Sequence, residues 1–209
     1  MAPRPRDVVG VLLAGGLSRR MGGGDKCLRP LAGETILARI VARVRPQVGR
    51  LVLNANGTPE RFAEYGLQVV PDAVLGYVGP LAGVLTGLEW AAVHAPASEL
   101  VASFATDAPF LPPDLVERLI AAIANDKADL ACAASAGQSH PVFGLWPVRL
   151  RHDLRRAVVT EGVRKVDDWT GRYRLATVEF AAEPFDPFFN ANRPEDLAEA
   201  ERMVEERSW

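Results

Sequence analysis

Solidly apolar runs alternate along the chain with stretches whose apolar residues recur at helical spacing. Residues 8–14 (Val-Val-Gly-Val-Leu-Leu-Ala) are nearly all apolar, as a strand covered on both faces requires. Residues 35–48 instead place Ile36, Leu37, Ile40, Val41, Val44 and Val48 along one helical stripe. A short strand at 51–53 ends in Asn54, a short helix follows at 59–65, and a strand at 67–70 ends in Pro71-Asp72. The next helix is predicted over 80–93, with Pro80 in the first turn, where its missing N–H costs nothing. A strand at 100–105 stops at Thr106-Asp107. Pro113 then opens a helix whose apolar face is Leu115, Leu119, Ile120 and Ile123. Strands at 130–134 and 142–146 flank a predicted polar turn, Gln138-Ser139-His140-Pro141. A helix at 150–159, a strand at 173–180 and a helix at 194–206 complete the series.

Strands alternating with helices imply right-handed crossovers and a mainly parallel sheet. The predicted class is therefore α/β, a three-layer sandwich built on a mainly parallel sheet. Without an internal repeat, low-complexity tract or linker, the 209 residues read as a single domain. Such sheets bind ligands beyond the carboxyl ends of their strands, near a topological switch point. Here those ends carry Ala14-Gly15-Gly16, Asn54-Ala55-Asn56, Asp72 and Asp107, so a polar ligand site is expected.

Composition narrows the ligand. With 24 Lys+Arg against 26 Asp+Glu, the net charge of −2 gives no global basic field for nucleic acid. At 48% hydrophobic residues the chain is too apolar for general disorder, and no apolar run reaches the roughly 20 residues of a membrane helix. Cys27 and Cys132 form no CxxC pair, which excludes a disulfide scaffold and a cysteine zinc site, though not one remote disulfide. The charged start leads into an apolar stretch that ends in glycines and arginines, a first strand rather than a signal peptide. A reducing cytoplasm is the expected setting.

The segment richest in chemistry is Leu13-Ala14-Gly15-Gly16-Leu17-Ser18-Arg19-Arg20-Met21-Gly22-Gly23-Gly24-Asp25-Lys26. Glycines let successive N–H groups turn toward an anion, and Arg19, Arg20 and Lys26 add the positive charge a polyphosphate requires. A Walker A loop is excluded because Lys26 lies between Asp25 and Cys27 rather than in Gly-Lys-Ser/Thr. A dinucleotide fingerprint is excluded because Gly15-Gly16 is followed by Leu17-Ser18-Arg19-Arg20. His94, His140 and His152 are scattered and suggest no relay.

Leu13-Ala14-Gly15-Gly16, Arg20-Met21-Gly22 and Asp25-Lys26 resemble the signature loop of nucleotidyltransferases with the glycosyltransferase-A fold, which is Rossmann-like. Asn54-Ala55-Asn56, Asp72, Gly79-Pro80-Leu81-Ala82-Gly83, the run from Asp107 to Pro112, and Asn190-Ala191-Asn192-Arg193-Pro194-Glu195-Asp196-Leu197 follow in order. Together, over almost the whole chain, they resemble the bacterial molybdenum-cofactor guanylyltransferases. That family joins the GMP part of GTP to the terminal phosphate of molybdopterin and releases pyrophosphate. The resemblance implies GTP on residues 7–112 and the pterin phosphate on 130–195. It also implies Mg²⁺ as cofactor, and GTP and molybdopterin, with or without molybdenum, as partners. Molybdoenzyme apoproteins or their chaperones follow as recipients of the product, with no nucleic acid and no membrane involved.

The same resemblance assigns roles. Asp107 would hold Mg²⁺, although a turn cap is its other local reading. Lys26 would contact the nucleotide phosphates, and Arg20, ahead of Arg19, the leaving pyrophosphate. Leu13, Ala14 and Gly15 would offer backbone groups to guanine and ribose, with Gly16 beside them in the nucleotide site. Asn54 and Asp72 would read or orient the nucleotide, or else cap turns, and Gly79 would lie beside the base. Asn190 and Asn192 fall at the pterin-phosphate and metal side, while Arg193-Pro194-Glu195-Asp196 taken alone is a helix start. His140 borders the pterin cleft or is simply a turn histidine, and Trp90, Trp146 and Trp169 read as packing. Cys27 has no assigned chemistry, and residues 160–180 fit the family loosely. The rival readings are a cytidylyltransferase of the same cofactor, a sugar-1-phosphate nucleotidyltransferase, and a nucleotide-binding partner of molybdoenzymes without turnover.

Overall fold

The computed structural model describes residues 3–14, 25–74, 76 and 79–206. The strands are β1 (Val8–Leu13), β2 (Pro30–Leu31), β3 (Glu34–Thr35), β4 (Arg50–Asn54), β5 (Gln68–Val70), β6 (Leu100–Ala105), β7 (Leu130–Ser135), β8 (Gln138–Pro147) and β9 (Leu175–Phe180). The helices are α1 (Ile36–Val44), α2 (Pro80–His94), α3 (Leu115–Asp126), α4 (Arg151–Val159), α5 (Val166–Thr170) and α6 (Pro194–Glu205). The main sheet has seven strands in the order β5-β4-β1-β6-β8-β7-β9. Only β8 runs antiparallel to its neighbours.

The sheet is sandwiched as the alternation implied. One face packs against α1, α3 and α6 around Leu12, Leu37, Ile40, Phe104, Leu119 and Ala200. The other packs against α2, α4 and α5 around Val11, Leu85, Leu88, Trp146, Leu154 and Trp169. With both faces covered, β1 lies between β4 and β6 in the sheet interior, and its Val9, Val11 and Leu12 are fully buried. Trp146 and Trp169 are packing residues, their rings 5.9 Å apart.

Local chemistry sets where the elements begin and end. Thr35 caps α1 by accepting the Ala38 N–H at 3.1 Å. The predicted helix over 35–48 closes earlier because Pro46 has no N–H to donate to the carbonyl four residues back; α1 stops at Val44 and a 3-10 turn, Arg45–Gln47, carries Pro46. The segment Pro59–Tyr65 is likewise a 3-10 helix. α2 lies close on β1 because Gly83 and Gly87 present no side chain to it. A Cβ at Gly87 would stand 2.8 Å from Val11 Cγ1.

The predicted polar turn at 138–141 is incorrect. The chain reverses at Ala136-Gly137, both with positive φ (49° and 74°), and Gln138 already pairs with Ser135. Pro141 is tolerated inside β8 because the ladder is broken there: Cys132 pairs with Gly144 while Ala133 pairs with His140, so 141–143 bulge away from β7. The β2–β3 hairpin and α5 had no sequence signal strong enough to predict. Among the described residues no helix is long and apolar enough to cross a membrane.

Candidate active site

The four parallel strands β5, β4, β1 and β6 end side by side, bringing Asp72, Asn54, Ala14 and Asp107 to one edge of the sheet. Three interstrand gaps separate the outer two, about 14 Å at ordinary strand spacing. Polar groups fill both ends of this row.

At the β6 end, Lys26 reaches across from the short 3-10 turn Lys26–Leu28, and its Nζ donates to Asp107 Oδ2 at 3.1 Å. The same ammonium donates to Asn192 Oδ1. Lysine has three N–H donors, so one is left for a ligand among the described residues. Asp107 Oδ1 is buried and has no hydrogen-bond partner among the described residues. A buried carboxylate oxygen left bare is costly, and a cation or a ligand donor would complete it. No group of three or more Asp, Glu, His or Cys could cage a metal among the described residues. Any ion here would thus take most of its ligands from substrate and water.

The loop before α6 is bolted to this corner. The Ala191 N–H donates to the Asp107 carbonyl at 2.9 Å, and the Asp196 carboxylate accepts the N–H groups of Asn192 and Arg193, both at 2.8 Å. Asn190 is exposed, and its carbonyl accepts the Asn192 N–H.

At the β5 end, Asp72 is held by two amides. Asn54 Nδ2 donates to its Oδ1 at 2.9 Å and to the Val70 carbonyl at 3.2 Å. Asn56 Nδ2 donates to Oδ2 at 2.8 Å, and Asn56 Oδ1 accepts the Asp72 N–H. Asn54 is only 2% exposed, so its amide N–H groups are spent inside and it orients Asp72 rather than facing solvent. Gly83 makes that possible, since a Cβ there would stand 2.5 Å from Asn54 Oδ1. Gly79 precedes α2 at φ 136°, a conformation only glycine adopts readily.

Between these ends, the Ala14 N–H donates to the Asn54 carbonyl and the Leu13 carbonyl accepts from the Thr106 hydroxyl at 3.0 Å. Both groups are engaged within the sheet edge. Cys27 is 3% exposed with its thiol against Thr106, and burial pushes that thiol up to about 12. Asp25 pairs with Arg61, whose guanidinium also donates to the carbonyls of Asn56 and Thr58. This bridge ties the end of the glycine loop to the Asn56 side. Gly15, Gly16, Arg19 and Arg20 lie outside the described residues.

Residues 10–175 match the family model described as the MobA-like NTP transferase domain. The chain belongs to the MobA-like NTP transferase family. A molybdenum cofactor guanylyltransferase of Bradyrhizobium sp. is 62% identical to this family member over 94% of this chain and 93% of its own. The crystal structure of molybdopterin-guanine dinucleotide biosynthesis protein A from Archaeoglobus fulgidus superposes with a TM-score of 0.73 at 24% identity, covering 95% of this chain and 100% of that one. A Mycobacterium tuberculosis protein crystallised with manganese superposes at 0.68 and 18% identity, covering 94% and 99%. The two structures show that the fold is shared.

Within this family member the structure joins Lys26, Asp107 and Asn192 at one corner and Asn54 and Asp72 at the other, while Asn190 remains on the surface. The sequence marked Asn56, Thr106 and Asp196 within motifs and strand ends without assigning them a role of their own, and it gave no sign of Arg61. Asn56 was the most accessible of these, because period-two alternation puts it on the same side as Asn54. Arg61 carried no motif, and its partner Asp25 is distant in sequence. His140, read as a turn residue, lies in β8 with Nε2 2.6 Å from Ser135 Oγ, and burial lowers its pKa against the raising effect of Asp186 and Glu179.

Proposed function

We propose that the protein transfers GMP from GTP to the terminal phosphate of molybdopterin, with or without molybdenum, giving the guanine dinucleotide cofactor and pyrophosphate. The observation that carries this reading is 62% identity over nearly the full length to a molybdenum cofactor guanylyltransferase. The site's geometry supports it. A phosphate oxygen of molybdopterin attacks the α-phosphorus of GTP, the bond to the bridging oxygen of the β-phosphate breaks, and pyrophosphate leaves with that electron pair. The nucleophile is already anionic, so no relay of Ser, His and Asp is needed, and the work is positioning and charge neutralisation.

Lys26 uses its remaining donor on a phosphate oxygen while Asn192 and Asp107 fix its Nζ. Asp72, held on both oxygens by asparagines, accepts from donors of guanine or ribose, with Gly79 beside the base. Gly15 offers backbone groups to guanine and ribose, and Gly16 and Arg20 belong to the same nucleotide loop, with Arg20 toward the leaving pyrophosphate. Asn190 stands toward the acceptor phosphate. Residues 7–112 thus serve GTP and residues 130–195 the pterin side, within one domain.

We assign Mg²⁺ to Asp107, whose bare Oδ1 suits a hard cation that keeps its waters. Bound there, it would neutralise phosphate charge as the transferred group develops it. The manganese seen in the Mycobacterium tuberculosis neighbour is consistent with a divalent ion at such a site. GTP as substrate places the reaction in the cytoplasm, and molybdoenzyme apoproteins or their chaperones are the receivers of the product.

The test is to incubate the protein with Mg²⁺ and molybdenum-loaded molybdopterin, offering GTP or CTP, and to measure pterin dinucleotide and pyrophosphate. Product with GTP alone supports the reading. Product with CTP instead moves the protein to cytidylyl transfer. GTP binding without product from either nucleotide overturns the transfer and favours a sugar-phosphate acceptor or a binding role.

A further inference from the structure

Behind the Asn192 loop lies a hydrogen-bonded chain that the reaction itself does not use. Ser135, at the end of β7, is completely buried, and its Oγ lies 2.7 Å from Asp186 Oδ1 and 2.6 Å from His140 Nε2. A hydroxyl has one proton and a carboxylate none to give, so Ser135 donates to Asp186 and His140 donates to Ser135 through Nε2–H. This arrangement is not a nucleophilic triad. The carboxylate faces the serine rather than the imidazole, and the serine has no access to a substrate.

Asp186 Oδ1 also accepts the Phe188 N–H at 2.9 Å, and its carbonyl accepts the Phe189 N–H at 3.1 Å. The turn is anchored by Phe188, buried at 1% exposure with its ring 4.7 Å from His140, 5.0 Å from Phe143 and 5.5 Å from Phe180. Just beyond it the chain delivers the Ala191 N–H to the Asp107 carbonyl and the Asn192 amide to Lys26. At the far end Asp196 holds the N–H groups of Asn192 and Arg193. The loop carrying Asn192 is therefore suspended between two carboxylates, Asp186 before it and Asp196 after it.

We propose that Asp186 is a positioning residue for the Lys26–Asp107–Asn192 corner, fixing the loop through Ser135 and Phe188. The inference rests on the transferase reading for its effect on rate but not for its effect on the loop. The Asp186 Oδ1 is engaged by Ser135 and the Phe188 N–H, so Asp186 acts through the loop. What it sets is the place of Ala191 and Asn192, and displacement of a catalytic group by about 1 Å can cost on the order of a hundredfold in rate. The Asn54–Asp72 end lies across β1 and β4 from this loop, so the guanine and ribose contacts proposed there do not depend on it.

The test compares the full-length protein with Asp186→Asn, which keeps an acceptor oxygen for Ser135 and Phe188, and Asp186→Ala, which removes it. The first readout is hydrogen exchange at the Ala191 amide. Exchange should rise about tenfold in the Ala variant, as expected for local opening, and stay near wild type in the Asn variant. The second is steady-state kinetics. In the Ala variant kcat should fall at least about tenfold with the KM for GTP within about twofold, the split expected when a transition-state interaction is lost. The Asn variant should restore kcat. Should the Ala variant not fold, Ser135→Ala removes one of the two bonds to Asp186 Oδ1 and should give a milder form of the same split. Unchanged exchange in the Ala variant overturns the proposal. So does unchanged kcat despite faster exchange, or an Asn variant as impaired as the Ala variant. Were the wild-type protein to make no dinucleotide, the transferase reading would fall, and the exchange experiment alone would decide whether Asp186 positions the loop.

Discussion

Lys26 and Asp107 stand 81 residues apart in the chain, yet their charged groups meet at 3.1 Å where β1 and β6 end side by side. One Asp107 oxygen is spent on this pair, and the other has no partner among the described residues. The pairing holds a cation donor and an anionic ligand at fixed separation, which suits a reaction in which phosphates must be neutralised in place. Asn192 shares the Lys26 ammonium, so the last loop of the protein is part of the same constellation.

Asp107→Asn keeps the size of the side chain and removes its charge. Transfer to molybdopterin should fall about a hundredfold or more, the usual scale for losing one preorganised electrostatic group. GTP should still bind, measured by calorimetry without the acceptor, because the Asp72 end is untouched. An Asn variant that turns over at the wild-type rate would remove Asp107 from the mechanism.

At the other end of the row, Asp72→Ala leaves the amides of Asn54 and Asn56 without their shared acceptor. The KM for GTP should rise about tenfold, equivalent to ~1.4 kcal/mol, with a smaller rise for Asn56→Ala, which frees only one carboxylate oxygen. If Asp72→Ala changes kcat and leaves KM alone, Asp72 does not hold the nucleotide.

How legible these two ends were depends on where each signal lies. Asp107, Asp72, Asn54 and Ala14 were visible because apolar runs mark strands and a parallel sheet delivers its strand ends to one edge. The partnerships were not visible, since Lys26 meets Asp107, Arg61 meets Asp25 and Asp186 meets Ser135 across long separations that no local pattern encodes. Polar residues also misled. Gln138, Ser139, His140 and Pro141 look like a turn by type, but Ala136-Gly137 makes the reversal, and a bulge absorbs the proline. In the other direction, the Gly79 to Gly83 pattern was assigned to the base, and the packing demand at Gly83 emerges only once α2 is seated on β1 and Asn54.

Gly83→Ala tests that demand. The added Cβ would stand 2.5 Å from Asn54 Oδ1 and 2.7 Å from Leu13 Cδ2, well inside contact distance, and the Asn54 amide is held by Asp72 and the Val70 carbonyl. Either α2 lifts or Asn54 moves. A stability loss of about 1–3 kcal/mol is expected from such overpacking, seen as a lower Tm. The KM for GTP should rise with it, since Asn54 holds Asp72. A variant with wild-type Tm and KM would show that the site tolerates the displacement.

Cys27 and Cys132 are both free and buried, and burial raises both thiols, Cys27 to about 12 from an ordinary value of 9.0. The thiolate is the reactive form, so at pH 8 neither cysteine should react with iodoacetamide in the folded protein, and both should react after denaturation. The same shift has a sign for stability. Below pH 9 the Cys27 thiol is protonated in folded and unfolded chains alike, and its burial contributes in full. Above 9 the unfolded chain releases the proton while the fold retains it, so stability is lost as pH climbs toward about 12, with a limiting slope of about 1.4 kcal/mol per pH unit. Tyr65 and Tyr173, raised from 10.0 to about 12 chiefly by burial, add to the loss at the upper end of that window. Cys27→Ser should therefore make the decline between pH 9 and 10 shallower, leaving the share due to Cys132, before the tyrosines contribute, and denaturant titrations across that range measure it. A decline equally steep in the Ser variant would mean that the Cys27 thiol already ionises near its ordinary value in the fold.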